Sequence, residues 1–188
     1  MKREGLAVLE TLAETGAIEL LYGDAAHLNE KPEVPYGWQF GDENVFMPSD
    51  KGSGINLFGL LSRSNRLIFE MTNEHITGDF VVRQLEKLLD TIKKPTVVGL
   101  DNAPANRNRK MVERIPYWEA RGLYIFYLPV YSPHLNIIEI LWRKLKYEWL
   151  SAADYLDWEN LKYQVRLGLS NVGNLLKINF SNFNHSLI

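Results

Sequence analysis

Three carboxylates follow distinctive apolar segments, and these segments constrain the fold more than any other feature of the chain. Asp24 ends Leu-Leu-Tyr-Gly-Asp, Asp101 ends Val-Val-Gly-Leu-Asp, and Glu139 ends Leu-Asn-Ile-Ile-Glu. An apolar run that ends in a carboxylate predicts a buried strand with the acidic residue at the rim of the sheet. Three carboxylates at one rim would offer hard oxygen ligands to divalent cations, which is the chemistry of nucleic-acid strand cleavage.

The first part of the chain predicts a helix followed by a meander of strands. Residues 4–15 have helical spacing, and residues 17–22 form an apolar strand that leads into Gly23 and Asp24. Residues 31–48 contain Pro, Gly and short aromatic pieces around Trp38 and Phe46, which predicts a loop with a hairpin-like strand. Two adjacent antiparallel strands are predicted next, at residues 54–61 and 66–72.

The second part predicts alternating helices and strands. The expected elements are a helix over 77–92 with Thr77 as N-cap, a strand over 96–100, a helix within 106–121, a strand over 123–128 and a helix over 158–169. The Asn- and Ser-rich tail after Ser170 is expected to be loosely held.

A long helix over 133–150 is predicted to carry the third carboxylate. Ser132 is its expected N-cap, and Pro133 occupies the first helical position. Glu139 stands at the edge of an apolar stripe, one turn from Leu135 and from Trp142, so we expect its carboxylate to lean toward the sheet. The stripe consists of Leu135, Ile138, Trp142, Leu145 and Trp149.

This order of elements predicts an α/β protein with a ribonuclease H-like fold. We expect a mixed five-stranded sheet, three antiparallel strands and then two parallel ones, flanked by helices within a single domain over residues 1–188. With 46% hydrophobic residues, the chain can bury a substantial core. The absence of cysteine excludes disulfides and suits the cytoplasm, and no apolar stretch approaches the ~20 residues that span a bilayer.

The net charge of −2 argues against DNA binding through overall positive charge, so any contact with nucleic acid must be local. Basic clusters follow Asp101 and Glu139, although ordinary solvated helix faces would also explain them. Asn102 and Asn136 could orient the metal ligands or a phosphate, and His134 could touch DNA. The candidate DNA contacts are therefore Asn102, Arg107, Arg109, Lys110, His134, Asn136, Arg143 and Lys146.

Four segments resemble the catalytic domain of DDE transposases of the insertion sequence 630 group, the bacterial relatives of mariner elements. They are Leu20–Asp24, Pro35–Trp38, Val98–Pro104 and Leu128–Lys146. The last two are the most specific. The chain departs from the family pattern at three positions. They are Ala25, Asn106, where the family has His, and Ile137, where the family has Pro.

The resemblance implies that Asp24, Asp101 and Glu139 are an acidic triad that holds two Mg²⁺ ions, with Mn²⁺ able to substitute. It also implies cleavage of transposon ends, transfer of the liberated 3′-hydroxyl to target DNA, and a homodimer assembled on DNA in the bacterial cytoplasm. Family members carry an N-terminal helix-turn-helix DNA-binding region. Too few residues precede Asp24 for one here, so we expect a split, frameshifted or truncated product that uses an upstream segment.

Two alternatives remain open from the sequence. The chain could be a non-catalytic DNA-binding or regulatory remnant of a transposase, or a structure-selective nuclease of the same fold. A zinc site is not expected, because His27, His75, His134 and His185 are scattered. A serine-hydrolase elbow and a phosphate-binding P-loop are also absent from the sequence.

Overall fold

The computed structural model describes residues 2–29, 54–130, 132–181 and 183. Its centre is a five-stranded sheet with the order β3-β2-β1-β4-β5. The strands are β1 (Glu19–Asn29), β2 (Gly54–Leu61), β3 (Leu67–Thr72), β4 (Thr96–Leu100) and β5 (Leu123–Tyr127). β1, β2 and β3 pair antiparallel, whereas β4 is parallel to both β1 and β5. The predicted mixed sheet and ribonuclease H-like fold are confirmed.

Five α-helices cover the two faces of the sheet within the described part of the chain. They are α1 (Lys2–Glu14), α2 (Gly78–Leu89), α3 (Arg109–Glu119), α4 (Ile138–Lys144) and α5 (Trp158–Ser170). Side chains alternate across a strand, so Leu20 and Tyr22 face the core of α1, α4 and α5, whereas Leu21 faces the core of α2 and α3. Among the described residues, none of the helices is long and apolar enough to cross a membrane.

The helix α2 and its N-cap match the prediction. The Thr77 side chain accepts a hydrogen bond from the Phe80 backbone N–H, and the helix ends at Leu89, somewhat before the expected end. The helix α3 begins only at Arg109, because a 3₁₀ turn over Pro104–Arg107 follows β4 and the Asn108 side chain then caps the helix.

The strand β1 extends beyond its predicted end. It was expected to stop before Asp24, but it continues to Asn29 because residues 22–29 pair with β2. Pairing with the parallel strand β4 stops earlier, at Gly23 opposite Leu100. Asp24 therefore lies inside β1 and pairs with β2 on one side. On the other side it lies one residue beyond the last residue of β1 that pairs with β4.

The predicted long helix over 133–150 is interrupted at residues 136 and 137, and only residues 138–149 are continuously helical. The segment consists of a 3₁₀ turn (Pro133–Leu135), the α-helix α4 and a π turn (Leu145–Trp149). The side chain of Asn136 bonds to the carbonyl of Gly23 on β1, which holds the chain between the 3₁₀ turn and α4 against the sheet. Tertiary contacts thus divide a sequence that has helical spacing throughout.

The C-terminal segment is held against the turn between β2 and β3, contrary to the expectation of a loose tail. Asn65 donates a hydrogen bond to the carbonyl of Ile178 at 3.0 Å and accepts one from its N–H at 2.7 Å. Ile178 itself is buried. Arg63 donates to the carbonyl of Ser181 and lies over the ring of Phe183. The tail is therefore part of the packed domain at least to these residues.

A buried polar network lies at the same end of the sheet. Glu10 on α1 is only 1% exposed, and both its carboxylate oxygens accept hydrogen bonds from Arg63 at 2.8 Å. The Tyr22 hydroxyl also donates to Glu10, and burial raises the pKa of Tyr22 above its usual range. A buried carboxylate of this kind depends on its cation.

The loop and hairpin-like strand predicted over 31–48, with Trp38 and Phe46, lie outside the described residues, as does the Pro35–Trp38 motif.

Candidate active site

Asp24 is held between β1 and the helix α4. One side of its backbone pairs with Gly59 on β2. A side chain at Gly59 would lie 2.9 Å from Ile138 and 3.0 Å from Trp142, so the glycine allows α4 to approach the sheet. The indole Nε1 of Trp142 donates a hydrogen bond to Asp24 Oδ2 at 3.2 Å. The carboxylate is therefore fixed by a core residue of the neighbouring helix.

Asp101 follows the last residue of β4 and is oriented through one oxygen. Its Oδ1 accepts hydrogen bonds from the backbone N–H of Ala103 at 2.9 Å and from Asn106 Nδ2 at 2.7 Å. Asn106 is buried in the 3₁₀ turn that follows, and its own carbonyl accepts a bond from the Tyr127 hydroxyl. Both hydrogen bonds are made to Oδ1, so they fix the orientation of the Asp101 carboxylate.

Glu139 lies in the first turn of α4 and is exposed. It borders two cavities. The first, of about 290 Å³, lies on the side of Asp101 and is otherwise lined mostly by the apolar and amide residues around Leu128–Asn136. The second, of about 550 Å³, lies on the side of Asp24 and includes Arg143 and Lys146. Glu139 thus stands between the two aspartates, with a different surface on each side.

The electrostatics of Asp24 indicate that the three carboxylates interact. Burial, and then the charge of Glu139, raise the pKa of Asp24 from 3.8 to about 7. The charge of Asp101 adds to this increase, whereas hydrogen bonds from Ala25 and Trp142 oppose it. Because like charges disfavour ionisation at short range, this edge of the sheet concentrates negative charge.

The chemistry of this edge fits a divalent cation. Within the described ranges, no three acidic or imidazole groups are already close enough to form a compact metal cluster. Repelling carboxylates are expected to lie apart until a cation comes between them. The residues Asn102 and Asn136 line the cavity beside Asp101, and their buried Oδ1 atoms, which have no hydrogen-bond partner, add to the negative potential there. Hard oxygen donors of this kind suit Mg²⁺ or Mn²⁺.

The two asparagines do not present their amide nitrogens to a phosphate. Asn102 Nδ2 donates to the carbonyl of Leu128 at 2.7 Å, and Asn136 Nδ2 donates to the carbonyl of Gly23 at 3.3 Å. Both side chains therefore tie backbone segments together around the carboxylates, and only their oxygens remain without partners.

The predicted basic contacts divide into two groups. Arg143 and Lys146 line the 550 Å³ cavity together with Asp24 and Glu139. The others lie elsewhere: Arg107 stacks over the ring of Tyr127, Arg109 pairs with Glu113, Lys110 pairs with Asp79, and His134 is exposed in the 3₁₀ turn before α4. None of these four lines either cavity beside the carboxylates.

Three further residues at the site were not predicted as site residues from the sequence. Asn106 orients Asp101, and His27 and Tyr147 line the 550 Å³ cavity. The substitution of the family's histidine by Asn106 was the one available signal. His27 lies on the part of β1 that was not predicted, and Tyr147 lies in the π turn, so neither position could be derived from local sequence.

Solved structures with a similar fold include a transposase, an integrase core domain and an intasome. A Mos1 transposase paired-end complex with the left transposon end has a TM-score of 0.55 and 14% identity, covering 92% of this chain and 57% of that chain. The catalytic core domain of BIV integrase has a TM-score of 0.55 and 16% identity, covering 85% of this chain and 86% of the integrase domain chain. The simian T-cell lymphotropic virus intasome in complex with the PP2A regulatory subunit B56 gamma gives a TM-score of 0.59 and 14% identity, covering 87% of this chain and 51% of the matched chain.

These similarities concern the fold, and the chain spans only 51–57% of the length of two of these proteins. No match is found among curated proteins. The sequence profile of the DDE superfamily endonucleases matches residues 19–162, which include Asp24, Asp101 and Glu139. The chain therefore belongs to the DDE superfamily endonucleases.

Proposed function

We propose that this chain is the catalytic domain of a DDE transposase of the insertion sequence 630 group, which cleaves DNA at the ends of the element and joins them to target DNA. The observation that carries the proposal is geometric: Glu139 borders both the cavity beside Asp101 and the cavity beside Asp24, so the three carboxylates of the matched DDE region lie around one edge of the sheet. The raised pKa of Asp24, caused by burial and then by the charges of Glu139 and Asp101, supports the same site, because strongly perturbed carboxylates cluster at functional sites.

Asp24, Asp101 and Glu139 would hold two Mg²⁺ ions, and Mn²⁺ would substitute. Related structures support this choice, since Mos1 complexes have been solved with Mn and with Mg, and the HTLV-2 integrase core with magnesium. When bound, such an ion pair activates a hydroxyl nucleophile and stabilises the leaving oxygen of a phosphodiester.

The protein's own contribution is to position these carboxylates. The strand β1 fixes the backbone of Asp24, and Trp142 orients its side chain. Asn106 and the backbone of Ala103 hold one oxygen of Asp101. Loss of a hydrogen bond that orients a metal ligand typically lowers metal affinity or activity ~10–100-fold.

DNA is the proposed partner. Arg143 and Lys146 follow Glu139 by four and seven residues and line the same cavity, so they can contact phosphates close to the carboxylates. One similar structure is a Mos1 transposase paired-end complex with a left transposon end, and another is a viral intasome, which supports a homodimer assembled on DNA here. An upstream helix-turn-helix segment would supply recognition of the element's ends.

The test is a gel assay on precleaved end DNA with Mg²⁺ or Mn²⁺. We expect joined products from the wild type, and we expect Asp101→Asn to lose them while its circular dichroism stays unchanged. Glu119→Gln, which removes an exposed carboxylate at the end of α3, is the matched control and should keep full activity. Hydrolysis without joining would indicate a nuclease, and binding without any reaction would indicate a regulatory remnant. Equal activity of Asp101→Asn and the wild type would refute the assigned site.

A further inference from the structure

The 550 Å³ cavity on the Asp24 side has two chemically different ends. We call it the strand groove and define it by Asp24, His27, Glu139, Arg143, Lys146 and Tyr147. Asp24 and Glu139 make one end acidic. Arg143 and Lys146 place positive charge further along α4 and its π turn. A groove of this kind can receive a phosphodiester whose next phosphate reaches the basic end.

Tyr147 provides an aromatic surface in this groove. Its side chain is 50% exposed, whereas Trp142 on the same segment is 4% exposed and packs in the core. Exposing a large ring to water is unfavourable, so a half-exposed tyrosine in a charged groove has surface available for a flat partner. Nucleobases stack on aromatic side chains of this kind in single-strand channels.

The opposite wall of the groove is rigid. The His27 ring has its Nδ1 2.8 Å from Asn56 Oδ1 and its Nε2 2.9 Å from Asn29 Oδ1, so both ring nitrogens have partners. Asn56 is itself fixed, because its amide nitrogen donates to the carbonyl of Glu74. A wall held in this way keeps its distance from α4 when a ligand enters.

The depth of Asp24 favours an unpaired strand over a duplex. Its carboxylate is half-buried between β1 and Trp142, whose indole Nε1 donates a hydrogen bond to it. A phosphate within an intact duplex is flanked by stacked bases and by the second strand, which limit its approach to a recessed group. An unstacked strand can bend into the groove and place a base on an exposed ring.

We propose that the strand groove binds a single unpaired DNA strand, with phosphates at Arg143 and Lys146 and one base stacked on Tyr147. This inference deepens the proposed function, on which it rests, by naming the form of DNA that the site accepts. Tyr147 is a binding residue in this proposal and takes no part in the metal site.

The experiment measures binding of short oligonucleotides by fluorescence anisotropy in the presence of Ca²⁺. The probes are a single strand, the same strand with abasic sugars, and a blunt duplex of matched phosphate number. We expect Tyr147→Ala to weaken binding of the single strand about 5- to 150-fold, the range expected for the loss of one base stack. Tyr147→Phe should bind as the wild type does, because it keeps the ring.

Tyr163→Ala is the matched control, since Tyr163 is an exposed tyrosine on α5 that does not line the groove. The abasic probe tests the inference without any variant: the wild type should bind it more weakly by a similar factor, and Tyr147→Ala should no longer distinguish it from the normal strand. Equal affinity of the wild type for the normal and the abasic single strand would overturn the proposal. It would also be overturned if Tyr147→Ala lost affinity for the duplex and for the single strand by the same factor.

Failure of this inference can be distinguished from failure of the proposed function. Metal-dependent strand joining that persists while Tyr147→Ala binds single strands normally would overturn this inference alone. Conversely, Tyr147-dependent binding of single strands by a protein that neither cleaves nor joins DNA would support the groove and refute the transposase activity.

Discussion

Replacing Asp24 by Asn should stabilise the cation-free protein while destroying its response to Mg²⁺. An acid whose pKa is higher in the folded state than in the unfolded chain binds its proton more tightly when folded. The stability that it contributes is complete below about pH 4 and is lost as the pH rises through about 7, the pKa of folded Asp24. At higher pH the folded protein contains an unfavourable buried charge, which Asn removes without changing the shape of the side chain.

The size of this effect follows from the pKa. A change from 3.8 to about 7 corresponds to about 4 kcal/mol, and the partial exposure of the carboxylate reduces it. We therefore expect Asp24→Asn to raise the free energy of unfolding by about 2–4 kcal/mol at about pH 8, with a difference that shrinks toward zero at about pH 4.

Urea denaturation followed by tryptophan fluorescence, in the presence of a chelator, measures this difference across the pH range. Adding Mg²⁺ at about pH 8 should then stabilise the wild type and leave Asp24→Asn unchanged, because ligand binding to the folded state raises its stability. Glu119→Gln should behave as the wild type in both series. A variant less stable than the wild type at about pH 8, or a difference that does not vary with pH, would refute the assignment of Asp24 as a repelled carboxylate.

Three further substitutions probe the site and its support. Asn106→Ala removes the hydrogen bond to Asp101, and we expect Mg²⁺ affinity measured by calorimetry to fall about 10- to 100-fold; an unchanged affinity would contradict the orienting role. Arg63→Ala leaves Glu10 buried without its cation, so the free energy of unfolding should fall by about 3–5 kcal/mol in urea titrations at about pH 7. In Gly59→Ala the added methyl group would press against α4, so we expect the free energy of unfolding to fall by about 1–3 kcal/mol in the same titrations and strand joining to be reduced. Full strand-joining activity would argue against the close approach of α4.

Local sequence predicted the elements whose signals are local. The strands β2 and β4 have the predicted boundaries, and Thr77 caps α2 as expected, because hydrophobic periodicity and capping are encoded in neighbouring residues. The length of β1 could not be predicted in this way. Its second half owes its conformation to pairing with β2 across a wide gap in sequence.

The same distinction applies to the site. The motifs identified Asp24, Asp101 and Glu139 as candidates, but they did not reveal that Trp142 binds Asp24, since the two residues are 118 positions apart. The segment after Pro133 has a helical pattern, but the structure interrupts it at Asn136, whose side chain donates a hydrogen bond to the carbonyl of Gly23. These features depend on contacts between separate elements of the fold. A single sequence does not show which elements contact each other.

The unequal lengths of β1 and β4 give the three acids different freedom of movement. Asp24 belongs to a strand that is hydrogen-bonded along β2 on both sides of that position, so its backbone cannot shift without disturbing the sheet. Asp101 follows the end of β4, and Glu139 lies in the first turn of α4, directly after the break at residues 136 and 137. Any change of geometry between successive chemical steps would therefore fall to Asp101 and Glu139, with Asp24 as the fixed reference point.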